Sequence, residues 1–215
     1  MNLKERRQQE KILKNARKKG DPSQVLNDAL AIYRSGNLKL ALKICQSVLA
    51  AHPKHPDALN LGGSIYLDLG QSKQSVKYLK SVVEILPDSP QAHFNLGTAL
   101  TANGELEKAI SSQRRALDLK PDYAEALFNL GNAYGHNADL EAAIRSYRNT
   151  LNLIPDYPGA ATNLASSLLK LGQPRDALAA CDEALKFHPG DRKETRPAFA
   201  GRTRINLITN RYLII

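Results

Sequence analysis

Few side chains in this 215-residue chain are spaced for catalysis. The histidines are His52, His55, His93, His136 and His188, and only the first two stand near one another in sequence. Pro53 and Pro56 interleave with that pair and exclude a regular helix presenting both rings. The two cysteines, Cys45 and Cys181, read as small buried apolar residues and not as redox or metal chemistry. There is no HExxH, no CxxC, no Walker loop and no serine elbow. Gly62-Gly63 falls inside a predicted helix instead of after a strand, so it is no phosphate loop. No catalytic constellation emerges, and neither a cofactor nor a metal is expected. What does recur is an amide. Asn27, Asn95, Asn129 and Asn163 share one phase of a 34-residue period, with Leu61 at the remaining point. An amide offers both donor and acceptor, so it can pair with a peptide backbone whatever the peptide's sequence.

The elements that must hold these side chains follow from five prolines. Pro53, Pro87, Pro121, Pro155 and Pro189 are each 34 residues apart. A stack of like helix pairs needs such punctuation, because each pair must stop at the same place, and this is the period of a helix–turn–helix repeat. Aligned on the prolines, the units are 22–55, 56–89, 90–123, 124–157 and 158–191. Within each, positions 4, 7, 8 and 11 form one helical stripe and positions 20, 24 and 27 another. Small residues at 8 and 20 let the two helices approach, a glycine near 15 ends the first helix, and proline at 32 ends the second. The fourth unit reads Leu127, Leu130, Gly131, Tyr134, Ala138, Ala143, Tyr147, Thr150 and Pro155 at these points. The third carries His93, Leu96, Gly97, Leu100, Gly104, Ala109, Gln113, Ala116 and Pro121, and the fifth repeats the pattern from Ala161 to Pro189.

This pattern resembles the tetratricopeptide repeat (TPR) family. The resemblance implies an all-α fold, a right-handed superhelical solenoid of five helix–turn–helix units, whose first helices line a concave groove with positions 2, 5, 6, 9, 12 and 13. It therefore places Asn27, Asn95, Asn129 and Asn163 in the groove, with Asn132, His136, Ser166 and Lys170 around them and Phe94 and Phe128 as aromatic anchors. With first helices about 10 Å apart and an extended peptide rising about 3.3 Å per residue, each amide would meet roughly every third peptide residue. The ladder is similar to the asparagine array in the TPR region of O-linked N-acetylglucosamine transferases. The implied function is a non-enzymatic interaction scaffold for an extended peptide of a protein partner. The family's carboxylate clamp for chaperone tails wants Lys at position 2, where this chain has Ser23, Asp57, Gln91, Glu125 and Gly159, so a chaperone C-terminal tail is disfavoured. Arrays of this style also precede glycosyltransferase, sulfotransferase and 2-oxoglutarate oxygenase domains. The alternative expectation is thus a substrate-recruiting arm of such an enzyme, cut short.

Charge and departures from the pattern complete the reading. Residues 1–20 hold eight Lys/Arg against two acids, and residues 190–215 six against two, while 21–189 are close to neutral at sixteen against seventeen. A neutral stack does not offer the basic stripe of a nucleic-acid groove; contact with nucleic acid or an anionic membrane would fall to the flanks. The basic N-terminal segment 1–21 is expected to be helical, and the divergent tail 192–215, with Ile205, Ile208, Tyr212 and Ile215 at helical spacing, to form a partial cap. No apolar stretch reaches membrane-spanning length and no secretory h-region opens the chain, so a cytoplasmic location is expected. Asp21 or Ser23 is expected to cap the first repeat helix. Two positions break the pattern. Gly62 stands where Leu is usual and predicts a soft helix. Asp28 stands at the same position in the first unit, where burial of a carboxylate would be costly, so either that helix is rotated or its outer side is wet.

Overall fold

The computed structural model describes residues 22–157 and 159–187. The N-terminal segment 1–21, the tail 192–215 and Pro189 lie outside the described residues. Those described form ten α-helices and no strand: α1 (Ser23–Arg34), α2 (Leu38–Ala51), α3 (Pro56–Asp68), α4 (Ser72–Ile85), α5 (Pro90–Ala102), α6 (Leu106–Leu119), α7 (Ala124–His136), α8 (Leu140–Leu153), α9 (Ala160–Lys170) and α10 (Pro174–Phe187). Taken in pairs they make five hairpins.

The turn chemistry is the same in every hairpin. Gly36, Gly70, Gly104 and Gly172 take left-handed φ values of 71 to 84°, and Ala138 does so at 61°. The residue after each returns its N–H to the first helix, as in Asn37 to the Ile32 carbonyl and Asp139 to that of Tyr134, closing a Schellman turn. Helices α2, α4, α6 and α8 each stop two residues before a period proline. Side-chain caps help at Asn37, His55, Ser89 and Asp139, each accepting from the N–H three residues on. The start of α1 is different. Pro22 stands at its N-cap, Ser23 is already helical and no side-chain cap forms there, so the expected Ser23 cap is not made.

The chain divides into two compact units, one through Leu119 and the other from Lys120. In the first, α1 to α6 pack in sequence: α2 and α4 each lie on their own first helix and on the next, and α6 lies on α5. The first hairpin alone cannot close its apolar stripe. Val25, Leu26, Ala29, Ala41, Ile44, Cys45 and Val48 are completed by Ala58 and Ile65 from α3. Burial pushes the Cys45 thiol up to about 12, so it stays protonated and serves as a packing residue. Asp28 is only half buried and accepts from Gln24, in keeping with wet surroundings. Gly62 has a use beyond softness: a Cβ there would sit 2.9 Å from the Tyr78 ring, which takes the place of the missing leucine and stacks edge-on against Tyr66 at 5.0 Å. In the second unit α7 to α10 pack by the same scheme, around buried Ala126, Leu130, Tyr134, Ala143, Tyr147, Leu164 and Leu168.

Candidate functional site

Gly131, at position 8 of its repeat, lacks the Cβ that would lie 2.6 Å from the Tyr147 ring. That gap lets the α8 tyrosine cross under α7 and bring its hydroxyl up beside Asn132. Gly135, one turn on, keeps space open above the hydroxyl, 3.7 Å from where its Cβ would be. The Tyr147 hydroxyl donates to Asn132 Oδ1 at 2.8 Å, and Asn163 Nδ2 from α9 donates to the same oxygen at 2.9 Å. Two donors occupy both lone pairs of that carbonyl, leaving Asn132 its N–H groups to offer. Burial pushes the Tyr147 phenol above its ordinary range, and a hydrogen bond from Asn163 opposes this only in part, so the hydroxyl is protonated at neutral pH.

A pocket of about 160 Å³ opens over this junction in the second unit. Asn132, His136, Asn163, Ser166 and Lys170 line it, so five of the ten residues assigned to the groove from sequence come together. Four more lining residues were not assigned: Tyr147, Gly135, Leu140 and Ser167. Tyr147 fell in a position read as packing. The available signal was a large side chain opposite a position-8 glycine, which leaves the phenol nowhere to end except at the far side of α7.

The other assigned residues lie elsewhere. Asn27 is exposed on α1, and Asn129 is half buried on α7, off the pocket wall. Asn95 in the first unit is already engaged, donating to Asn60 Oδ1 at 2.7 Å and accepting from Gln91 at 2.8 Å. Asn95 and Asn163 thus form rungs between neighbouring first helices, and each rung uses amide groups that the sequence reading left for a guest. A third rung joins α1 and α3, where the Tyr33 hydroxyl donates to Asp68 at 2.5 Å. Burial, followed by the Asp68 carboxylate, raises that phenol to about 12. Phe94 is half buried, and its carbonyl accepts from Thr98 and Gln113. Phe128 packs among Tyr157 at 5.0 Å, Tyr147 at 5.9 Å and the backbone of Gly159, so it is a packing ring as much as an anchor. Among the described residues no group of three His, Cys, Asp or Glu side chains could hold a metal ion, and no helix is long and apolar enough to cross a membrane.

A tetratricopeptide repeat model matches residues 33–96 and 136–194, and a second TPR repeat model matches 97–137. A search of curated proteins by sequence finds no match. Among solved structures, MamA superposes with a TM-score of 0.70 at 24% identity, over 82% of this chain and 97% of that one. TTC0263, described as a thermophilic TPR protein in Thermus thermophilus, gives 0.65 at 23% identity, over 91% and 100%. YrrB, described as a TPR protein with an unusual peptide-binding site, gives 0.65 at 18% identity, over 86% and 90%. At these identities the likeness speaks for the fold.

Proposed function

Because the chain belongs to the tetratricopeptide repeat family, we propose that it is a non-enzymatic scaffold that captures an extended peptide segment of a partner protein, with the pocket around Asn132 and Tyr147 as a principal seat. The observation that carries this reading is the pocket itself, which gathers amide, hydroxyl and ammonium groups on neighbouring first helices. Such groups pair with a peptide backbone and need no reactive chemistry of their own. Tyr147 adds rigidity, since its ring is locked in the core while its hydroxyl fixes the orientation of the Asn132 amide. The first-unit rungs serve as struts that set the spacing of the first helices.

The double variant Asn132→Ala with Asn163→Ala is expected to lower retention of array-bound peptides about tenfold, the loss of two hydrogen bonds of roughly 0.5–1.5 kcal/mol each. Binding measured alongside thermal unfolding separates this from a folding defect. Equal affinity of wild type and double variant across the array would reject the pocket as the seat.

A further inference from the structure

The pocket's charge and hydrogen-bonding inventory says more about the guest, granted the peptide-capture reading above. No carboxylate lines it, and Tyr147 is held as the neutral phenol. Lys170 is exposed in the last turn of α9 and forms no ion pair among the described residues. Asn132, its carbonyl filled by two donors, presents only N–H groups. The half-buried Ser166 adds a hydroxyl one turn before Lys170. Beside these donors stand the exposed His136 imidazole and an amide acceptor on α9. Asn163 spends an amide hydrogen on Asn132, and its side-chain oxygen points to no donor among the described residues, so it is left to receive.

A cluster of donors with a lysine suits a carboxylate, and the amide oxygen of Asn163 suits a backbone N–H beside it. The rungs of the first unit lack this combination. The residue matching Lys170 is Ala102 on α5, Asp68 on α3 and Arg34 on α1, where the rung is a phenol–carboxylate pair and not an amide pair.

We propose that the pocket of Asn132, Tyr147, Asn163, Ser166 and Lys170 selects an aspartate or glutamate side chain within an extended peptide. The guest residue is internal: its carboxylate meets Lys170, Ser166 and Asn132, and its backbone N–H meets Asn163. Charge-assisted hydrogen bonds carry the preference, so it weakens as salt rises.

The test uses the full chain and three fluorescein-labelled, C-terminally amidated Ser/Ala peptides that differ only in a central Glu, Gln or Lys. Anisotropy at low ionic strength is expected to show the Glu peptide binding about tenfold tighter than the Gln peptide, with the Lys peptide weakest. Lys170→Met, an exposed change that spares the core, is expected to bring Glu and Gln to equal affinity, and Ser166→Ala to narrow the gap. Equal binding of all three peptides by the wild type would overturn the acidic preference while leaving peptide capture standing. So would a Glu preference untouched by Lys170→Met. Binding of none of the three by a folded wild type would remove the capture reading and this proposal together.

Discussion

The third and fourth hairpins open the same gap and fill it with different side chains. Gly97 and Gly131 occupy equivalent positions, and a Cβ on either would lie 2.6 Å from the residue opposite, Gln113 Nε2 in one and the Tyr147 ring in the other. Gln113 is wholly buried. Its Nε2 donates to the Phe94 carbonyl at 3.2 Å, but its Oε1 has no partner among the described residues. Tyr147 is longer and passes through the gap, so its polar end emerges on Asn132 and becomes the floor of a pocket. The backbone repeat creates the opening in both hairpins. Whether the opening stays core or delivers a hydroxyl to the surface depends on one residue of the second helix.

The sharpest way to break this comparison is to close both gaps. Gly131→Ala sets a methyl against a rigid ring, so either the ring or α7 must move. Overpacking of this kind costs about 1–3 kcal/mol, more than the roughly 1 kcal/mol an alanine returns to a helix. The denaturation midpoint is expected to fall and peptide retention with it, since the displaced hydroxyl no longer holds Asn132. Gly97→Ala meets a buried glutamine, whose side chain can change rotamer where the Tyr147 ring cannot, and its midpoint is expected to fall less. Equal losses in the two variants would show that the residue opposite does not decide the cost.

Gln113 provides the next test. A buried polar atom without a partner costs about 1–3 kcal/mol, whereas an apolar group of like shape does not. The Phe94 carbonyl keeps a partner in the Thr98 hydroxyl when the glutamine amide is removed. Gln113→Met is therefore expected to raise stability by about 1 kcal/mol in urea unfolding at unchanged m. Tyr147→Met in the fourth hairpin should do the opposite, because it strips Asn132 of a donor and leaves a cavity where the ring packed.

These contrasts mark where the sequence was legible. The proline period and the residue at position 15 dictate hairpin ends by local geometry alone, and the helices begin and stop in step with them. Five pocket residues were likewise readable, because helical spacing fixes which side chains share a face. Tyr147 was not, since its hydroxyl enters the site from a second helix through a gap that exists only in three dimensions. The pairing of Asn95 with Asn60 and of Asn163 with Asn132 was hidden for a related reason: each bond joins side chains at different positions of successive repeats. Gly62 read as a weak point because only its own helix was in view, not the Tyr78 ring seated on it.

The smallest expected effect returns to the same two hairpins, at the turn and not in the gap. Gly104 and Ala138 both hold left-handed backbone, at φ of 77° and 61°. The N–H of Gly104 reaches its turn carbonyl at 3.0 Å, while that of Ala138 reaches only to 3.4 Å. A left-handed conformation costs an alanine about 1–2 kcal/mol, and glycine's looser unfolded chain takes back roughly 0.5–1 kcal/mol of any relief. Ala138→Gly is thus expected to stabilise by about 0.5 kcal/mol. Gly104→Ala should destabilise by a similar amount, although nothing lies within 4 Å of the added methyl to clash with it. Both sites are exposed and lie outside the pocket, so peptide affinity should not move in either variant. Urea midpoints that shift in opposite directions would locate the difference in backbone strain; a shared direction would mean that the turns, unlike the gaps, are not equivalent in the two hairpins.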